Sequence, residues 1–478
     1  MESNSTMEQT RAPLWEQITQ FLHREERVWL HVPTHSGGLG LPAAIKQLFA
    51  AYARCDLTEL PGLDDLFQPT GVLAEAQALA ARLWQARRSY FLVNGASAGV
   101  RAMVLATCNP GDTILLARNA HGSVLQALVA TGAIPRYLPV AETAGFPLNV
   151  TVEAVKAGFK QYPEAKALLI TSPSYFGVTA DLAAIAEVVH QARALLLVDE
   201  AHGAHLDFSA ALPASAGEYC DLRVQSWHKT LGALTPGAVL HWQGGDVDEE
   251  RLQTALQGAQ TSSPPYPLLL SLDLVRQRMA LEGKALIGEM VQQALLVRQA
   301  VEAYFPLLTP SQVQSLGFGL DITRVTMLTA QIGVCGLEAG QQLGQLGIDL
   351  ELIQPDCLLA IVGPGYQTQW TEKLADSLAR LQLKTADRQL PKLPPVPELV
   401  LTPREAVYRQ SVLIPYQAAA GKVAAAMVVC YPPGIPLCLP GERITPALVA
   451  YLADALQQGV AFRGLTKDGQ LKVVKEVK

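Results

Sequence analysis

Three short segments of this chain gather residue types that can do chemistry, and each follows an apolar run. The first is Ser226-Trp-His-Lys-Thr, after Leu222–Gln225. Lys229 there is flanked by Ser226, His228 and Thr230. A lysine whose pKa is lowered by neighbours and desolvation forms Schiff bases with carbonyls, whereas a lysine in a surface loop is merely solvated. The second segment is Leu197-Val-Asp-Glu-Ala-His-Gly-Ala-His. Asp199, Glu200, His202 and His205 are all possible metal ligands, and Asp199 is equally suited to holding a proton on a cofactor nitrogen. A capped strand end with solvated polar groups is the weaker reading, because Asp199 extends a continuous apolar run and a lone buried carboxylate is costly. The third segment is Phe91-Leu-Val-Asn-Gly-Ala-Ser-Ala-Gly-Val, an apolar run entering a helical pattern near Ala98. Small residues let a ligand approach the backbone, and a helix start offers N–H groups to phosphate. Taken alone, Ser97 reads as a plain N-cap.

The elements that must position these residues are legible from about residue 90. Short apolar runs cover Ser89–Val93, Thr113–Ala117, Ala167–Thr171, Ala194–Asp199 and Leu222–Gln225, with alanine-rich helical stretches such as Asp181–Arg193 between several of them. Continuous apolar strands alternating with helices imply an α/β fold with a mostly parallel sheet covered on both faces. Ligands collect at the strand ends of such sheets. A helix start, an acid and a lysine, each at the carboxyl end of a strand, are what pyridoxal phosphate needs: a phosphate cradle, a partner for the pyridine nitrogen and a lysine for the aldehyde.

Beyond Pro267 a long helix spans Leu268–Phe305. A strand at Ile322–Ile332, a helix at Leu337–Leu346, strands at Asp349–Gln354 and Cys357–Val362 and a helix at Gln369–Leu381 then suit a small α+β domain. The expected divisions are an N-terminal segment 1–60, a cofactor-binding major domain 61–280, a small α+β domain 281–383, a proline-rich linker 384–403 and a C-terminal domain 404–478. The 478 residues exceed one ordinary domain, and 49% hydrophobic with 17% charged residues excludes a disordered chain. A net charge of −6 speaks against a nucleic-acid surface. Prolines break the charge-free stretch Val423–Pro440, so it does not read as a membrane helix. Seven scattered cysteines without a C-x-x-C pair point to reduced thiols. With no secretory signal at Met1-Glu-Ser-Asn-Ser, the expectation is a cytoplasmic protein.

Seven motifs follow one another along the chain. They are His31-Val-Pro-Thr-His-Ser-Gly-Gly, Glu59-Leu-Pro-Gly-Leu-Asp-Asp-Leu, Arg118-Asn-Ala-His-Gly-Ser, Asp199-Glu-Ala-His-Gly-Ala-His, Ser226-Trp-His-Lys-Thr-Leu, Gln260-Thr-Ser-Ser-Pro, and Tyr431-Pro-Pro-Gly-Ile-Pro with its following Pro440-Gly-Glu. In this order and spacing the chain resembles the fold-type-I, pyridoxal-phosphate-dependent ornithine/lysine/arginine decarboxylases in their short bacterial form. The resemblance covers nearly the whole chain. It implies a major domain with a seven-stranded-type sheet, smaller α+β C-terminal parts, and conversion of a basic amino acid to its amine and carbon dioxide in polyamine-related metabolism.

Carried over by position, the resemblance makes Lys229 the lysine joined to the cofactor, Asp199 the partner of its pyridine nitrogen and His121 the residue stacked on its ring. Gly95, Ala96, Ser97, Ser226 and His228 form the phosphate cradle. Thr261 or Ser262 supplies a phosphate contact from a neighbouring subunit, so at least a homodimer is implied. His202 packs near the ring or holds its phenolic edge. Ala96, Ala98, Thr34, Ser36 and Trp227 depart from the family pattern, which bears on cofactor affinity and substrate choice. Asp64, Glu405 and Glu442 are candidates for meeting a basic substrate side chain. Another pyridoxal-phosphate reaction of the aminotransferase type, a non-catalytic regulator with a degenerate pocket, and a metal hydrolase built on His202 and His205 are the rival readings.

Overall fold

A computed structural model of the chain describes residues 9–24, 27–143, 146–385, 393–430 and 435–475. The segment Tyr431–Gly434, most of the Tyr-Pro-Pro-Gly-Ile-Pro motif, and the start Met1–Ser5 lie outside the described residues. A seven-stranded sheet contains β1 (Arg88–Leu92), β2 (Thr113–Ala117), β3 (Ile134–Leu138), β4 (Ala167–Thr171), β5 (Leu195–Asp199), β6 (Leu222–Gln225) and β7 (Ala238–Trp242). Their order is β1-β7-β6-β5-β4-β2-β3. β2 and β4 are buried along their whole length, which is why they read as unbroken apolar runs rather than as alternating ones.

The chain divides into two compact units. The first holds Met1–Ala106, Asp199–Ser209 and Ser215–Ile287. In it β7 is antiparallel to both β1 and β6, so β1 and β6 run in the same direction and end at the same edge. β1 leads straight into the helix Gly95–Thr107, which starts earlier than the sequence pattern near Ala98 suggests. Gly95 makes the turn with φ +75°, a conformation that costs a residue with a Cβ. One turn on, a Cβ at Gly99 would lie 2.5 Å from Val224 Cγ2 and 2.8 Å from Leu92 Cδ1, so the helix packs backbone-close on the sheet. Trp227 stacks on Trp84 at 4.4 Å between ring centroids, and Trp84 meets Phe208 edge-on at 5.3 Å. Trp227, uncommon in its motif, is thus a core residue.

The second unit holds Thr107–Val198, Ala210–Ala214 and Gly288–Lys478. There β2 pairs in parallel with β3 and β4. The helix Leu182–Gln191 is capped by Asp181, whose carboxylate accepts from Ala184 N at 3.1 Å. A three-stranded antiparallel sheet joins Arg324–Met327, Leu358–Ile361 and Leu352–Ile353. The expected strand Ile322–Ile332 is shorter, because Thr329–Ile332 closes into a 3₁₀ turn. Nearer the C-terminus, Ser411–Pro415 pairs with Gln470–Val474, and Leu448, Tyr451, Leu452 and Ala455 of the helix Pro446–Gln457 close over a separate apolar cluster. No helix among the described residues is long and apolar enough to cross a membrane.

The fit at Gly99 gives a direct test of helix-on-sheet packing. Gly99→Val should destabilise the fold by about 1–3 kcal/mol through overpacking against Val224 and Leu92, read from urea midpoints. An unchanged midpoint would show that the helix is not seated this closely.

Candidate active site

Asp199 is the last residue of β5 and is 4% exposed, while Lys229 sits in the single helical turn Trp227–Thr230 that follows β6. The two strand ends are adjacent, for Glu200 N donates to Val224 O at 2.9 Å. Ala201 N donates to Asp199 Oδ1 at 3.2 Å. The turn after Asp199 brings buried His202 to Lys229, with Nε2 3.2 Å from Nζ. An ammonium can only donate, so with Lys229 charged His202 Nε2 is the acceptor. The contact places a base at the amine that must lose a proton to become nucleophilic.

His228, half-buried, lies within 2.9 Å of Gly237 O through Nδ1. A carbonyl only accepts, so Nδ1 carries the proton and Nε2 is left with its lone pair. Burial, helped by the charge of Lys229, pushes His228 below the usual imidazole range despite that bond. Ser226 is buried and precedes the turn. At the other strand end of the same unit, Ser97 is exposed while Ala96 and Ala98 are packed inward. The first-turn N–H groups of a helix have no intrahelical acceptor, which suits Gly95, Ala96 and Ser97 to an anion. Thr261 and Ser262 are exposed, and Thr261 N donates to Asn94 Oδ1 at 3.0 Å, which ties this loop to the residue before Gly95 of its own chain.

His121 belongs to the other unit. It is exposed in the turn between β2 and the helix Ser123–Thr131. Ser123 N donates to His121 Nδ1 at 3.2 Å, and the Ser123 hydroxyl lies 3.0 Å from the same nitrogen. A nitrogen that accepts from an amide is unprotonated, so Nε2 is the N–H position of the neutral ring.

Behind Asp199 and Lys229 lies a buried charge network that sequence reasoning missed. Arg223 and Glu200 have 0% and 1% side-chain exposure and pair at 2.9 Å, and Arg223 also meets Asp207 at 3.1 Å. Gln225 donates to Glu200 Oε2 at 2.8 Å and accepts from Trp227 Nε1 at 3.1 Å. His241 Nε2 lies 3.2 Å from Gln225 Oε1, and Ser89 Oγ lies 2.7 Å from His241 Nδ1. Glu200 therefore answers Arg223 here. Its signal in the sequence was Arg223 and Gln225 at alternate positions of an otherwise apolar strand, hence on one face of it. Among the described residues no three His, Cys, Asp or Glu side chains are grouped to share a metal ion.

The three candidates for a substrate's basic end are otherwise engaged. Asp64 caps the helix Val72–Leu83, accepting from Gly71 N and Leu73 N at 2.8 Å each. Glu405 closes a capping box with Thr402. Glu442 is fully buried and bound to Arg118.

The comparisons with known proteins agree with this arrangement. The family model for the Orn/Lys/Arg decarboxylase major domain matches residues 12–319, and that for the C-terminal domain matches 385–474. The chain belongs to the Orn/Lys/Arg decarboxylase family. It is 33% identical over 486 residues to arginine decarboxylase of Bacillus subtilis (strain 168), covering 99% of both chains. It is 25% identical to a lysine decarboxylase of Pseudomonas aeruginosa, covering 95% of this chain and 77% of that one. The crystal structure of the Francisella novicida lysine decarboxylase superposes with a TM-score of 0.87 at 21% identity, over 97% of this chain and 81% of that chain. The architecture is fold-type I, as the resemblance implied.

Two outcomes follow from the buried groups. Glu200→Ala, which leaves Arg223 short of a buried partner, should cost about 3–5 kcal/mol of stability in chemical unfolding; a loss below about 1 kcal/mol would mean that the pair is not desolvated. Since His228 Nε2 holds a lone pair, it donates to phosphate only after taking up a proton. Inorganic phosphate should therefore move the His228 titration midpoint upward in NMR from its depressed value. A midpoint that ignores phosphate removes His228 from an anion site.

Proposed function

We propose that this chain binds pyridoxal 5′-phosphate and decarboxylates a basic amino acid, arginine first among them, to the amine and carbon dioxide. The observation that carries the reading is Lys229 Nζ at 3.2 Å from a histidine nitrogen, on the turn beside the strand that ends in the buried Asp199. The donor set fits the cofactor: an exposed primary amine, a buried carboxylate, the first-turn amides Gly95–Ser97 with a serine hydroxyl, and Ser226 and His228. When bound, pyridoxal phosphate supplies an aldehyde for amines and a conjugated ring that accepts electrons.

Lys229 would hold the cofactor, with His202 Nε2 taking the proton from Nζ. Asp199, shielded from water, would keep a proton on the ring nitrogen through its charge. Gly95, Ala96, Ser97, Ser226 and His228 would hold the phosphate, and His121 would pack on the ring. Thr261 or Ser262 would reach the phosphate of a second subunit, making the active unit a homodimer. Arginine is favoured as substrate because the named arginine decarboxylase matches end to end, whereas the lysine decarboxylase of Pseudomonas aeruginosa is matched over 77% of its length.

The test is a panel of arginine, lysine and ornithine, with carbon dioxide and amine both quantified. Arginine should give the two products in equal amounts without any keto acid. Amine transfer that needs a keto acid, or no turnover of any of the three, would overturn the reading. In the same assay Asp199→Ala should lose about a thousandfold or more, several kcal/mol of charge stabilisation in a dry site. His202→Ala should lose far less. Equal turnover by Asp199→Ala and the parent chain would take Asp199 out of the chemistry.

A further inference from the structure

The Pro440-Gly-Glu motif and the Arg118-Asn-Ala-His motif meet within the second unit, 324 residues apart in sequence. Arg118 leaves the end of β2 and forks onto Glu442, with Nη1 to Oε1 at 2.6 Å and Nη2 to Oε2 at 3.0 Å. Nη2 also donates to Leu437 O at 3.0 Å. Glu442 is fully buried, and Leu439 N donates to its Oε2 at 2.8 Å, so the carboxylate is aimed before Arg118 arrives. Tyr137 lies under the guanidinium, its ring 4.8 Å from the Arg118 Cζ. Gly441, at φ +93°, has no room for a side chain: a Cβ there would be 2.1 Å from Leu401 O.

The same C-terminal domain grips the helix that follows. Met427 covers Gly122, where a Cβ would come within 3.0 Å of its Cε. At the far end Gly132 caps the helix Ser123–Thr131, and a Cβ there would lie 3.2 Å from Arg404 Nη1. His121 stands between the first two of these contacts, three residues after Arg118 and one before Gly122. A buried ion pair adds little stability over an apolar pair of equal volume, but once present neither partner can leave without stranding the other's charge.

We infer that the C-terminal domain is part of the cofactor-binding machinery: Glu442, acting through Arg118, is a positioning residue that holds the Arg118–Ser123 turn and so sets the placement of His121. The inference rests on the proposed assignment of His121 to the cofactor ring. Arg118 is therefore spent inside the protein and does not meet a substrate carboxylate. The C-terminal domain contributes by holding a turn in place rather than by offering a group of its own.

The test uses full-length protein stripped of cofactor, with pyridoxal phosphate affinity read by absorbance titration alongside kcat and KM. Glu442→Gln should weaken cofactor binding about threefold to thirtyfold, and should weaken it no further in a His121→Ala background. Met427→Ala, which buries no stranded charge, should show a smaller loss that also vanishes in that background, and it decides the matter if Glu442→Gln does not fold. Additive losses, or parental affinity in a folded Glu442→Gln chain, would overturn the positioning role. If His121→Ala alone binds cofactor as the parent does, the assignment of His121 fails and the inference with it.

Discussion

Arg223 has no exposed side-chain surface, and a guanidinium cannot shed its charge there. Its carboxylate partners must come to it, and the chain supplies Glu200 and Asp207 from the turn that follows β5. That demand fixes the path of the backbone just beyond Asp199. Gln225, on the same strand face as Arg223, bonds the same carboxylate and then the indole of Trp227, which carries the order forward to the turn of Lys229. Two loops from different parts of the sequence are thus set by one buried charge. The arrangement is fragile to truncation, because removing a single partner leaves the charge uncompensated in a dry core.

The site built on this base keeps its polar groups at unequal depth. Asp199 and His202 are buried, His228 is half-buried, and Ser97 and Lys229 are exposed. Burial strengthens the electrostatics of the carboxylate, while exposure leaves the amine open to a carbonyl arriving from solvent. The departures at Ala96 and Ala98 fall on the inward side of the helix, so hydroxyls absent there are absent from the packed face, and Ser97 remains as the outward hydroxyl.

Much of this was legible in the sequence because fully buried strands write their burial plainly. Thr113–Ala117, Ala167–Thr171 and Leu222–Gln225 have the bounds the apolar runs suggested. The helix at Gly95 began sooner than expected because glycine and alanine, which seat it close on the sheet, carry no apolar period. The polar pairings were illegible for a different reason. Glu200 meets Arg223 across 23 residues and Arg118 meets Glu442 across 324, so nothing local in either segment names its partner. Glu442, Glu405 and Asp64 looked available for a substrate only because a sequence does not show which carboxylates already cap helices or hold arginines.

The claim on which the functional account turns is that Lys229 is the residue joined to the cofactor. Protein loaded with pyridoxal phosphate can be treated with borohydride, digested and mapped by mass spectrometry. The account predicts the cofactor's mass on the peptide carrying Lys229 and on no other stoichiometrically. Attachment to a different lysine, or a Lys229 peptide of unmodified mass in fully loaded protein, would contradict it.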